Sequence, residues 1–215
     1  MYPVSLVVET IERAPFKLYI LIDEDPPNPR ENDNLAVLVA DYRRYNLGDR
    51  KPTDEEYTAL RKGGWDGLRT HLTCQYGPIL ALEPLALLDH GVQHLYIGSQ
   101  AHWSDSGGWD SGLIGFAYVT AARAAELGAL IEHRNEWIKG DVDEYDKYLR
   151  GEAFGYSVTR TRTMRATDGS GFEQSAEEVL DDCWGFLGYD YVMDEAMSSL
   201  NYYDATERGL TQVPV

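Results

Sequence analysis

Between Phe154 and Met164 the chain alternates in character. Phe154, Tyr156 and Val158 are interleaved with Gly155 and Ser157, and the alternation runs on through Arg160, Arg162 and Met164. Successive strand side chains point to opposite faces, so a period of two predicts a half-buried strand. Asp168-Gly169 follows as the turn of a hairpin. Phe16 to Ile22, β-branched and aromatic, predicts another strand, and Val92 to Ile97 and Leu113 to Val119 predict two more around a Gly/Ser-rich loop. Leu35 to Val39 is too short to separate a buried strand from the start of a helix.

Helical signals sit between these runs. Thr53-Asp54-Glu55-Glu56 has the capping-box spacing and predicts a helix through Lys62, stopped by Gly63-Gly64. Thr120 is placed to cap an Ala-rich helix reaching about Leu130. Ile138, Val142, Tyr145 and Leu149 form one helical stripe, which Gly140 weakens or breaks. Ser175 to Glu178 predicts the opening of a short helix, and Asp190 to Leu200 has helical spacing. Strands and helices alternate without a βαβ rhythm, so the expected fold is α+β, a single domain over 1–215 with a mixed or largely antiparallel sheet and packed helices.

Charge narrows the function. Nineteen Lys and Arg face thirty-six Asp and Glu, a formal −17. From Ala166 onward there are eleven acids and one base, Arg208, so −10 lies in that acidic C-terminal part. Such a surface repels phosphate backbones, which argues against direct nucleic-acid binding. No apolar run approaches the roughly 18 residues of a membrane helix, and no basic-then-apolar leader is visible, so a cytoplasmic protein without a membrane role is expected. Cys74 and Cys183 lie outside metal or disulfide spacings, and His90/His94 is a metal pair lacking a third ligand, so neither a metal nor a cofactor is expected, with a divalent ion on the carboxylates of Asp105 and Asp110 the open alternative.

Two candidate sites emerge. The richer in chemistry is His102 to Gly112, where His102, Asp105, Ser106, Asp110 and Ser111 sit among glycines that let a ligand approach the backbone. The bland alternative is a turn-rich loop whose Asp and Ser satisfy their own backbone. Arg30, Arg43 and Arg44 lie among carboxylates and are placed to clamp an anionic ligand at the same pocket, or simply to pair with those carboxylates. The second site is acidic: Asp181, Asp182, Asp190, Asp194 and Glu195 flank Trp184 and Phe186, a mixture suited to a basic protein groove. The rings themselves read better as core, and Cys183 as a small buried residue. No residue stands out as catalytic.

Several ordered blocks carry a resemblance. Pro29 to Leu35 with Arg43 to Asp49, Trp109 to Val119, Tyr145 to Glu152 and Asp182 to Gly188 together resemble a family of uncharacterised proteins of bacteriophages and mobile elements. Asn32 stands where that family carries Trp, and Leu187 where it often carries Tyr. The resemblance implies a bacterial host cytoplasm and brings no established activity. Combined with the acidic pole, it leads to the expectation of a counter-defence inhibitor, antirestriction or anti-CRISPR in kind. Such a protein binds a host defence protein through a DNA-mimicking surface. The alternative is a protein that binds or hydrolyses a nucleotide signal at the 102–112 loop.

Overall fold

The computed structural model describes residues 6–105, 107–129, 133–165 and 173–209. In chain order its strands and α-helices are β1 (Val7–Arg13), β2 (Phe16–Ile22), β3 (Val37–Ala40), α1 (Asp54–Tyr76), β4 (Ile79–Asp89), β5 (Gln93–Ile97), β6 (Ser111–Thr120), α2 (Ala121–Glu126), α3 (Arg134–Leu149), β7 (Ala153–Arg165), β8 (Glu173–Leu187) and α4 (Tyr189–Glu207). The fold is α+β, and every strand ladder is antiparallel. Two compact units divide the chain: residues 1–27 with 151–215, and the 28–150 segment inserted between them in sequence. No helix among the described residues is long and apolar enough to cross a membrane.

The first unit is a four-stranded sheet, β1-β2-β7-β8, crossed by α4. Alternation places Phe16, Leu18 and Ile20 of β2 on one face with Tyr156 and Val158 of β7. Val192, Ala196 and Leu200, spaced by four along α4, close over them. The expected helix at Ser175 is instead part of the first half of β8. A serine followed three residues later by glutamate is a weak local signal, and a thirteen-residue partner strand overrides it. Opposite charges pair across the ladder, Arg162 diagonally with Glu178 at 2.6 Å and Arg165 with Glu173 directly opposite at 2.5 Å. Beyond Arg160, β7 has lost its partner β2 and continues with β8 as a two-stranded ribbon. The Asp168-Gly169 turn lies outside the described residues.

The 28–150 unit is a three-layer sandwich around the sheet β3-β6-β4-β5. Leu38, Leu85, Leu87, Leu95, Ala117 and Val119 meet the predicted stripe of α3, whose Ile138, Val142 and Tyr145 are buried against them. The opposite face, Val39, Ile79, Phe116 and Tyr118, packs on Leu68 and Leu72 of α1. The Leu35 to Val39 run thus resolves in favour of a strand, which begins at Val37 and buries Leu38 and Val39 on opposite faces. β3 and β6 approach so closely that a Cβ on Gly115 would lie 1.9 Å from the Val39 carbonyl oxygen. Gly140 does not interrupt α3. Nor does Gly63-Gly64 end α1: Gly64 takes φ 58°, which glycine tolerates, and kinks the helix, which then continues to Tyr76.

The predicted capping box is present. Thr53 Oγ accepts from the Glu56 amide at 3.2 Å, and Glu56 Oε2 accepts from the Thr53 amide at 2.8 Å. Glu56 is buried, and Arg50 donates to both of its oxygens at 2.8 and 2.6 Å. Burial pushes the Glu56 carboxyl up, but Arg50 and the Thr53 amide pull it further down, leaving it below the usual value. A depressed carboxyl contributes stability above its unfolded-state value and loses it as pH falls through the folded one. Glu56→Gln keeps an acceptor for the cap and removes the charge pair. It should cost about 2 kcal/mol near neutral pH, with the difference from wild type in urea melts shrinking as pH drops below the carboxylate range.

Candidate functional site

The loop between β5 and β6 is organised by one side chain. Asp105 Oδ1 accepts from the Trp109 amide at 3.2 Å. Its Oδ2 accepts from the Asp110 and Ser111 amides, both at 2.9 Å, and from the Ser111 hydroxyl at 2.8 Å. The Ser111 hydroxyl, opposed by burial and reinforced by the three amides, holds the Asp105 carboxyl below its ordinary value. Both carboxylate oxygens therefore serve the loop, as in the bland reading of this segment. The loop so fixed carries Trp103 and Trp109 into solvent, 86% and 90% exposed. Ser106 lies outside the described residues.

Beside this loop is a cavity of about 610 Å³ whose wall includes His90, His94, His102, Trp103, Asp110 and Arg150. Three elements distant in sequence build it. Asp146, buried on α3, accepts at Oδ1 from the Leu95 amide and pairs there with His94 Nδ1, both at 2.7 Å. Its Oδ2 accepts from Arg150 Nε at 2.9 Å. One carboxylate thus covers an amide on the open edge of β5 and fixes both an imidazole and a guanidinium on the cavity wall. Asp110 pairs likewise with His90 Nδ1 at 2.8 Å.

His102 is held the other way round. The Ser104 amide donates to its Nδ1 at 3.3 Å, and the Ser104 hydroxyl lies 2.7 Å from the same atom. In the neutral forms this hydrogen bonding assigns Nδ1–H to His94 and Nε2–H to His102. The two rings meet edge to face, centroids 4.9 Å apart, and among the described residues neither Nε2 has a hydrogen-bond partner. His94 therefore offers a lone pair and His102 a proton.

The expected arginine cluster divides. Arg30 is not a ligand arginine: its side chain is 3% exposed, donates to both Asp49 oxygens at 2.9 and 2.7 Å, and reaches Asn34 Oδ1 and the Ala36 carbonyl. Arg43 and Arg44 line a second, smaller cavity of about 280 Å³ with Trp109, Asp110 and Ser111, and Arg44 pairs with Asp89 at 3.1 Å. His102 and Asp105 belong to the larger cavity, and Asp110 borders both. Sequence reasoning passed over Asp146 and Arg150 and took His90/His94 only as an incomplete metal pair. Each of these two histidines has a carboxylate partner instead, and among the described residues no group of three or more ligating side chains is placed to hold a metal ion.

The acidic residues lie in the first unit. Asp181 is turned inward, accepting from Tyr156 Oη at 3.0 Å and from the Ser199 hydroxyl of α4. Burial, and then Asp181, push the Tyr156 phenol up to about 12. Since neighbouring strand residues point to opposite faces, Asp182 faces away from α4, while Asp190, Asp194 and Glu195 are exposed on that helix. The five acids therefore do not form one ladder. Trp184 is 41% exposed and lies over Gly155, where a Cβ would come within 2.4 Å of the ring. Phe186 packs against the core as expected, but Cys183 is exposed rather than buried.

The chain matches no known family, no curated protein and no solved structure. Asp105→Ala should release the loop while leaving the sandwich folded. In hydrogen exchange the Trp109, Asp110 and Ser111 amides lose protection, by roughly tenfold or more for charge-assisted bonds of about 1.5–3 kcal/mol, and those of β4 and β6 at Leu85 and Gly115 keep theirs.

Proposed function

We propose that the 28–150 unit binds a small phosphorylated ligand of the nucleotide class in the cavity beside the 102–112 loop. The observation that carries this reading is the joint placement of Arg150, held by buried Asp146, and the exposed Trp103 on one cavity wall. A fixed guanidinium suits phosphate oxygens, and an exposed indole gives a base a surface to stack on. The cavity lies in the less acidic of the two units. The 28–150 unit has thirteen basic and nineteen acidic residues, a net −6, while the other unit has six and seventeen, a net −11. The carboxylates at the cavity are already engaged, Asp105 by the loop, Asp110 by His90 and Asp146 by His94 and Arg150.

Adenosine and guanosine 5′-monophosphates should quench tryptophan fluorescence saturably, and Trp103→Phe should remove most of the quench. Arg150→Ala should weaken the nucleotides by about 10-fold or more, one charge-assisted bond, and leave the matching nucleosides unchanged. No saturable quench up to millimolar nucleotide would sink the reading.

A second reading keeps the acidic surface. Asp182, Asp190, Asp194 and Glu195 are exposed with no ion pair among the described residues, so their charge is open to a partner. Together with the resemblance to mobile-element proteins, this supports a counter-defence inhibitor in a bacterial cytoplasm, docked on a host protein's basic, DNA-binding groove. Its mark is competition: wild type should capture a DNA-binding protein that duplex DNA displaces. The variant Asp182→Asn/Asp190→Asn/Asp194→Asn/Glu195→Gln, equally stable, should not; equal capture by both proteins would remove the acids from the interface.

A further inference from the structure

We infer that the cavity hydrolyses phosphoanhydrides, with His94 as the base that takes a proton from the attacking water and with His102 and Arg150 as donors to the phosphoryl oxygens. This rests on the ligand reading above and goes beyond it, from holding a nucleotide to cleaving one.

Asp146 is the starting point. A carboxylate buried in a helix–sheet interface is unfavourable unless its oxygens are met by donors. Covering the β5 edge requires only the Leu95 amide. Its two other partners are the Nδ1 of one cavity imidazole and the Nε of a cavity guanidinium. An Asp that accepts from Nδ1–H fixes the tautomer and supports the imidazolium that forms when Nε2 takes a proton. The adjacent ring has the complementary tautomer, because the backbone amide of Ser104 points at its Nδ1. One imidazole is therefore set to accept and its neighbour to donate.

The spacing selects the bond. The two rings touch edge to face with centroids 4.9 Å apart, too close for a phosphorus centre to lie between them with base and acid on opposite sides. Both nitrogens must approach the phosphoryl group from one side. His94 Nε2 then meets the water, while His102 Nε2–H and the Arg150 guanidinium meet nonbridging oxygens, where charge must be neutralised. Neither ring is placed to protonate the departing oxygen. An alkyl phosphoester leaves as a strongly basic alkoxide and needs that proton; an anhydride leaves as phosphate or a nucleotide and does not. In the step, the water oxygen bonds to phosphorus and its proton passes to His94 Nε2. The P–O bond to the bridging oxygen breaks, and its electron pair leaves with the nucleotide or phosphate product. The imidazolium then returns its proton to solvent.

The test uses the full chain with ATP and GTP as their magnesium salts, and AMP as the ester control, following phosphate and nucleotide products by ion-exchange chromatography. Wild type should cleave the triphosphates and leave AMP intact. His94→Gln retains an amide donor for Asp146 and removes the base. It should lower kcat by about 100-fold or more, a general base's contribution, with the tryptophan quench by GTP and the melting temperature unchanged. His102→Ala should lower kcat while preserving the preference for anhydride over ester. Saturable quenching by GTP without turnover, or turnover indifferent to His94→Gln, overturns the hydrolytic inference and leaves the binding reading standing. Absence of both quench and turnover removes the binding reading as well. Cleavage of AMP at a comparable rate would overturn the assignment of the bond.

Discussion

Asp146 links the packing of the 28–150 sandwich to its surface chemistry. β5 is the outer strand of its sheet, and an outer strand presents amides that must find acceptors or water. α3 lays its apolar stripe on the sheet face and brings Asp146 to that edge, where one oxygen takes the Leu95 amide. The same carboxylate holds His94 and, one turn along the helix, Arg150. Helix packing, edge protection and the orientation of two polar side chains share one group, so none can shift without disturbing the others.

The acidity of the chain is divided along with its fold. The unit containing β1, β2, β7, β8 and α4 carries a net −11, and the inserted sandwich, with its cavities, carries −6. A formal −17 read as one number suggests a surface hostile to every anion. Resolved by unit, it leaves the sandwich near the ordinary range for a soluble domain of its size. Within the sandwich, the buried or loop-bound carboxylates Asp105, Asp146 and Glu56 all face donors, which confines their charge to local structure.

The sequence was most legible where one periodicity governs a whole element. The alternation at Phe154 to Met164, the α3 stripe and the Thr53 capping box each reappear as a strand, a helix and a cap. β8 was illegible because its residues follow no clean alternation and its stability comes from β7, not from itself. β4 was obscured by Pro84, which is tolerated because β5 pairs only from Leu85 onward. The site shows the same contrast. The loop residues His102, Asp105, Asp110 and Ser111 are adjacent in sequence and visible as a group. His94 and Asp146, by contrast, are joined only by the packing of α3 on β5, and no spacing in the chain encodes it. Arg30 misled for the opposite reason: its chemistry suits a ligand, and only burial reveals that Asp49 already occupies it.

The far end of the β7–β8 ribbon answers to a different variable from the rest of the molecule. Among the described residues no third strand pairs with it past Arg160 and no helix of its own covers it, and Met164 is exposed. Its cross-strand attachments there include exposed pairs such as Arg162 with Glu178 and Arg165 with Glu173. A two-stranded ribbon is marginal in water, and exposed ion pairs weaken as the screening length falls from about 10 Å at 0.1 M salt to about 3 Å at 1 M. Rising ionic strength therefore weakens the side-chain attachments of this ribbon, while the apolar layers beneath α4 and in the sandwich, whose attraction is not coulombic, keep theirs.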